Sequence, residues 1–182
     1  MKLNFFYKKD KKRTYKCSCC GKVYEEIPLC FGSDYPDYYY SVPPDEREKR
    51  IEMAESLCVV DGEHFFHRCR LAIPIIDYKE DFIWNVWTSI SRENFIKRND
   101  LWTNPERVNE PPYFGWLQTI IPIYGETLNI KTMAYEQSAG SIPALEIIEE
   151  NHPLYIDQKN GITLEKAFTI VDEIMRNAHQ HK

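Results

Sequence analysis

Residues 57–90 read LCVVDGEHFFHRCRLAIPIIDYKEDFIWNVWTSI, and this stretch decides the fold. LCVV (57–60) is a short apolar strand, and Asp61-Gly62 is a turn pair. FFHRCRLAIPII (65–76) is a long strand whose Pro74 implies an edge or a bulge. A polar turn from Asp77 to Asp81 leads into FIWNVWTSI (82–90). Period-two alternation puts Phe82, Trp84, Val86 and Thr88 on one face. Ile83, Asn85, Trp87 and Ser89 fall on the other.

Upstream, Pro44 followed by Asp45 and Glu46 is a good helix start, and a helix is expected over 44–56 with Ile51 and Ala54 inward. Downstream, Ser91 caps a helix over 91–102 with Phe95, Ile96 and Leu101 inward. Residues 110–126 read as a strand pair broken by Pro122 and Gly125, and 128–137 and 144–150 read as further strands. Thr163 caps a last helix over 164–178. Its Leu164, Ala167, Phe168, Val171 and Ile174 form a 3.6-period stripe. Strands bunched in the middle, with helices at the edges and no βαβ alternation, indicate an α+β fold. The expected architecture is an antiparallel sheet flanked by a few helices, with a small N-terminal Cys-rich knuckle. Three segments follow: a basic flexible arm (1–14), the knuckle with an aromatic loop (15–40), and the α+β domain (41–182).

The 182 residues suit one domain, with 43% apolar, 28% charged and 14% aromatic residues. No apolar run approaches the length of a membrane span, and MKLNFFYKKDKKR does not read as a signal peptide. A cytoplasmic location is expected, where six cysteines should be reduced thiols or metal ligands. Residues 1–22 carry a balance of +7 and the rest carries −12.

Three clusters carry candidate chemistry. In YKCSCCGKVY, Cys17 and Cys20 form C-x-x-C followed by Gly21, the knuckle geometry of structural zinc sites. Zinc needs four ligands, and Cys30 and Cys58 are candidate completions, with Cys19, Cys69, His64 and His67 further ones. His67 and Cys69 share a strand face. The plainer reading is thiols on a turn, with Cys58 and Cys69 as small buried residues. In DGEHFFHR, Asp61, Glu63, His64 and His67 place carboxylates beside imidazoles, a set suited to acid–base work or a metal. The plainer reading is a turn with a polar strand face. In EPPYFGWLQT, a proline-braced strand carries Tyr113, Phe114 and Trp116. Phe114 reads as core, whereas Trp116 suits either core or a contact surface.

The order of these motifs resembles a bacterial family catalogued as domain of unknown function twenty-one ninety-nine. The matching stretches are CSCCG, SDYPDYYYSV, CVVDGEHFF, EPPYFGWL, LNIKT and HPLYIDQKNGIT, spanning roughly residues 15–163. The resemblance implies a small, soluble, cytoplasmic bacterial protein and brings no catalytic residue with it. Tyr24 stands where the family pattern often has a histidine after the knuckle. Cys19, His67 and Cys69 look particular to this chain.

The leading expectation is a non-enzymatic protein-binding module, immunity-protein-like by analogy of size and charge alone. It would present an aromatic, acidic face to a protein partner through Asp61, His64, Tyr113, Trp116 and Lys131, with structural zinc at Cys17 and Cys20. A rival is a metal-dependent or acid–base enzyme centred on Glu63 and His64, in a pocket that also gathers Lys131 and Trp84. A third reading is a nucleic-acid binder using the basic arm, against which the acidic remainder counts.

Overall fold

The structure, a computed structural model, describes residues 14–180. All but the last residue of the basic arm expected over 1–14 lies outside the described residues. The strands are β1 (Tyr15–Lys16), β2 (Val23–Tyr24), β3 (Cys30–Gly32), β4 (Ile51–Met53), β5 (Leu57–Val60), β6 (His64–Ile73), β7 (Phe82–Ser89), β8 (Tyr113–Trp116), β9 (Lys131–Tyr135) and β10 (Ala144–Ile147). The α-helices are α1 (Arg47–Arg50), α2 (Arg92–Asp100), α3 (Pro153–Asn160) and α4 (Leu164–Gln180).

The Asp-Gly turn behaves as its residues dictate. Asp61 and Gly62 both take positive φ, 56° and 65°. That geometry matches the twist of paired strands and joins β5 to β6 in a tight hairpin. β6 then pairs antiparallel with β7 from Phe66↔Ser89 to Ile73↔Phe82. Its other edge is shared, with β5 along the first half and β10, in parallel, at Arg70. Pro74 stands just past the end of β6, where its missing N–H costs no ladder bond.

Alternation along β6 and β7 separates two cores. Cys69, Leu71 and Ile73 face the main one with Phe82, Trp84 and Val86. Phe66 and Trp87 face a smaller one with Val42, Cys58 and Val60. α4 covers the main core with fully buried Ala167, Ile170 and Val171. Each such aliphatic burial is worth about 1.5–3 kcal/mol for the larger side chains.

The ladder order β7-β6-β10-β9-β8 does not end at an open edge. Leu117, the residue after β8, bridges back to Thr88 of β7. Gln118 N donates to Trp87 O at 2.7 Å, and Trp116 N donates to Ser89 Oγ at 2.9 Å. Five strands thus close into a small barrel. Inside the closure, the Thr88 and Thr132 hydroxyls lie 2.8 Å apart and satisfy each other, with Trp116 O and Gly115 O as further acceptors.

The α+β class is as expected, and the sheet is mixed rather than wholly antiparallel, because β3–β7 and β6–β10 run parallel. Helix α1 stops at Arg50, since Ile51–Met53 pair with β5 instead. Residues 110–126 hold only β8 and a 3-10 turn at Pro122–Tyr124. On α2, Ile96 is exposed and the buried residue is Arg98.

Gly115 is where the barrel closes. A Cβ there would lie 2.1 Å from Ser89 O and 2.5 Å from Thr88 Oγ1. Gly115→Ala should therefore destabilise the fold by about 3 kcal/mol, since backbone must move. Gly62→Ala, strained only by its positive φ in open space, should cost about 1 kcal/mol. Urea denaturation of the two variants tests this, and equal costs would contradict the closure.

Candidate functional site

The knuckle is a hairpin. Tyr15 and Lys16 of β1 pair with Tyr24 and Val23 of β2. Gly21 turns the chain with φ 71°, and its N–H donates to Cys17 O at 2.9 Å. This curl brings Cys17, Cys19 and Cys20 together, with their sulfurs all within 4.8 Å of one another. Cys17 is buried, and Cys19 and Cys20 are exposed. Cys17 and Cys19 Sγ lie 2.8 Å apart. That thiol contact, with help from the Cys20 and Cys19 amides, lowers the Cys17 thiol to about 7. The same contact raises Cys19 to about 11, so one proton is shared by the pair. The hairpin is tied to α4 by the Tyr15 hydroxyl, which donates to Asp172, and by Cys19 Sγ on Met175 O at 3.8 Å.

Of the completions weighed from sequence, Cys19 joins Cys17 and Cys20, and the others do not. Cys30 lies on β3, where its sulfur accepts from Asn85 Nδ2 at 3.4 Å. Cys58 is buried in the smaller core. Burial pushes its thiol up to about 12. His67 and Cys69 do share a face, and both are fully buried in the barrel.

The other sequence candidates divide between two places. Arg50 grips Asp61 with two hydrogen bonds of 2.7 Å and also binds Glu46. The guanidinium holds the Asp61 carboxyl below its usual range. Asp61 therefore fixes the turn. Glu63 caps the same turn, its N–H donating to Val60 O. His64 instead lies against Tyr38, with ring centroids 4.6 Å apart, and Tyr38 packs on Phe66. Together they wall a groove of about 650 Å³ with Tyr40, Trp116, Gln118 and Asn129. The 3-10 turn Asp37–Ser41 reaches it because Asp37 N donates to Gln118 O at 2.7 Å. Arg47 stacks on Tyr39 and Tyr40, which braces the turn from outside. Trp116 is 41% exposed and Phe114 is 44% exposed, so Phe114 is not core. The two rings meet edge to face at 5.2 Å. Tyr113 alternates to the inside and is buried. Lys131 is exposed on β9, and Trp84 sits in the main core against Phe31 and Phe82. Glu63, Lys131 and Trp84 do not line the His64 groove. Sequence reading singled out His64 and Trp116. It missed Gln118 and Asn129, whose roles come only from the chain's return to β7.

Thiol chemistry should sort these sites. In metal-free native protein Cys20 and Cys30 should react quickly with Ellman's reagent, Cys19 more slowly because it keeps the shared proton, and Cys58 and Cys69 only on unfolding. Alkylation at Cys17, followed by peptide mass spectrometry, should rise with a midpoint near pH 7. In Cys19→Ser that midpoint should move up toward that of an ordinary thiol. An unmoved midpoint would show that Cys19 does not poise Cys17.

Comparison with curated proteins gives no match, and comparison with solved structures gives none. A family profile described as an uncharacterized protein conserved in bacteria (DUF2199) matches residues 16–162. That span takes in the knuckle, every strand from β2 to β10 and the whole groove, so the chain belongs to this bacterial family.

Proposed function

We propose that the protein is a non-enzymatic binding protein that carries a thiolate-bound zinc ion in its knuckle and presents the Trp116 groove to a protein partner. The three-thiol group carries the reading. Zinc–thiolate bonds of about 2.3 Å set sulfurs roughly 3.8 Å apart at the corners of a tetrahedron. A trio within 4.8 Å reaches that spacing with small side-chain rotations. Soft thiolates select a metal of zinc's kind. A Cys17 thiol lowered to about 7 supplies one of them near neutral pH without a large proton cost. The fourth position would go to water or to a partner's side chain. The metal's role would be structural, locking the β1–β2 hairpin onto α4.

Metal analysis by inductively coupled plasma mass spectrometry tests this on untagged protein purified without added metal. About one zinc per chain is expected, lost in Cys17→Ser/Cys20→Ser, and a chelator should lower the unfolding temperature of the wild type only. A wild type that holds no zinc even after reconstitution would overturn the metal reading.

The groove supports the partner reading. Its aromatic walls offer area at low entropy cost, while His64, Gln118 and Asn129 offer hydrogen bonds. Asp61 is engaged by Arg50, so an acid–base pair with His64 has little support. Peptides selected on the wild-type protein by phage display should bind Trp116→Ala at least about tenfold more weakly by calorimetry. Selection that enriches nothing, or peptides indifferent to Trp116→Ala, would remove this reading.

A further inference from the structure

α2 and the 3-10 turn Pro105–Asn109 bury two arginines against the barrel. Arg98 and Arg107 are both 0% exposed. Arg107 is well held. Its Nη1 donates to Trp102 O at 3.3 Å and Ser141 O at 3.2 Å, and its Nη2 donates to Glu136 Oε2. Arg98 is not. Its guanidinium lies 5.1 Å over the Trp102 ring, and its Nε is 3.7 Å from Glu136 Oε1, beyond hydrogen-bond reach. Among the described residues, none of its three nitrogens has a hydrogen-bond partner. Both ring nitrogens of fully buried His67 and the Tyr113 hydroxyl share that condition.

A buried arginine with nothing to donate to is costly, and here several such donors converge. Arg98 reaches this inner wall through Glu136, and the His67 and Tyr113 rings lie 6.4 Å apart on the same wall. Arg98 in turn acts on His67. The unmet inventory is rich in donors: the Arg98 N–H groups, Arg107 Nε, the phenol and one imidazole N–H. Three acceptors stand against them: Glu136 Oε1, Glu110 Oε2 and the second imidazole nitrogen. The charge has the same sign as the donors. Two guanidiniums face one carboxylate, so the cluster is net positive whether or not Glu136 is protonated. Glu110, whose Oε2 is buried beside the cluster, pairs with Lys97, so those two charges cancel.

We propose that this cluster is a binding site for a small inorganic anion, held by Arg98 with His67 and Tyr113 inside the barrel. A cation would meet surplus positive charge, and an apolar ligand would leave the donors unmet. Enclosure selects for size, because Arg98, Arg107 and His67 have no exposed surface. Trp102 lies over both guanidiniums and also lines a surface cleft of about 250 Å³ with Arg68, Asn85 and Gly140. Burial lowers His67 well below the ordinary imidazole range, so it serves as a neutral donor.

The probes are chloride, nitrate and phosphate, each against the full-length protein at constant ionic strength with gluconate as the balancing anion. Equilibrium dialysis should find about one ion of at least one probe per chain, and that probe should raise the unfolding temperature along a saturating curve. An excluded salt raises it without saturation. Arg98→Gln should abolish binding, while Arg70→Gln, exposed on the opposite strand face, should leave it unchanged. Which probe saturates identifies a halide or an oxyanion. If Arg98→Gln fails to fold, wild-type dialysis decides alone. The proposal falls if no probe binds the wild type near one per chain, or if folded Arg98→Gln binds as well as wild type. Neither result bears on the knuckle, which shares no residue with this site.

Discussion

A Cβ at position 115 would lie 2.1 Å from the Ser89 carbonyl oxygen, so between β8 and β7 there is room for a hydrogen atom and nothing larger. Much of the structure depends on that approach. It lets Leu117 bridge Thr88 and lets Gln118 bond to Trp87. A sheet edge that would otherwise stand open is thereby removed. The same approach carries Gln118 to the backbone of Asp37, and with it the tyrosine turn. The groove is therefore a consequence of barrel closure. Its walls come from residues 37–41, 64–66 and 116–118, which no local interaction would bring together.

Closure also creates an interior that the chain must fill. At the Thr88–Thr132 level it does so with two hydroxyls, one donating to the other and the second to a neighbouring carbonyl. Beside it, starting at His67, the cross-strand partner of Thr88, the solution differs. There His67, Tyr113 and Glu136 meet arginines delivered by α2 and the 3-10 turn that follows it. Glu136 satisfies Arg107 and leaves Arg98 short. Buried polar groups are normally matched group for group. The contrast between the hydroxyl layer and the arginine layer makes the second stand out as a place built for something besides packing.

What could be read beforehand follows the range of the interactions involved. The β5–β6 turn and the two faces of β7 were legible because an Asp-Gly pair and period-two alternation act within a few residues. The α4 stripe was legible for the same reason. Cys17 and Cys20 announced themselves by spacing, and Cys19 was on the wider list beside them. Most failures are cases where a distant partner outweighed a local preference. Residues 51–53 follow a charged helix-forming run, yet pairing with β5 makes them strand. Ile96 carried the apolar signal on α2, but Arg98 is the residue that turns inward, on the side of Glu136 at the far end of β9. Phe114 reads as core until alternation places Tyr113 and Gly115 inside instead. α3 did carry local signs, Pro153 at its first position and a His152 side-chain cap on Leu154 N, which sequence reading passed over.

The knuckle and the groove lie on opposite sides of the β6–β7 pair. Tyr15 and Cys17 belong to the main core under α4, whereas Tyr38 packs on the smaller core behind Phe66 and Trp87. Two adjacent strands connect them. Leu71 and Trp84 face one side where Phe66 and Trp87 face the other, and side chains alternate strictly between these faces. A metal on the knuckle would thus tighten the α4 side of the sheet without touching the residues that line the groove. Coupling between the two would have to pass through β6 and β7, whose side chains alternate between the two sides. On this geometry the knuckle is anchored to α4 through Tyr15 and Asp172, while His64, Trp116 and the tyrosine turn gather on the other side of the sheet.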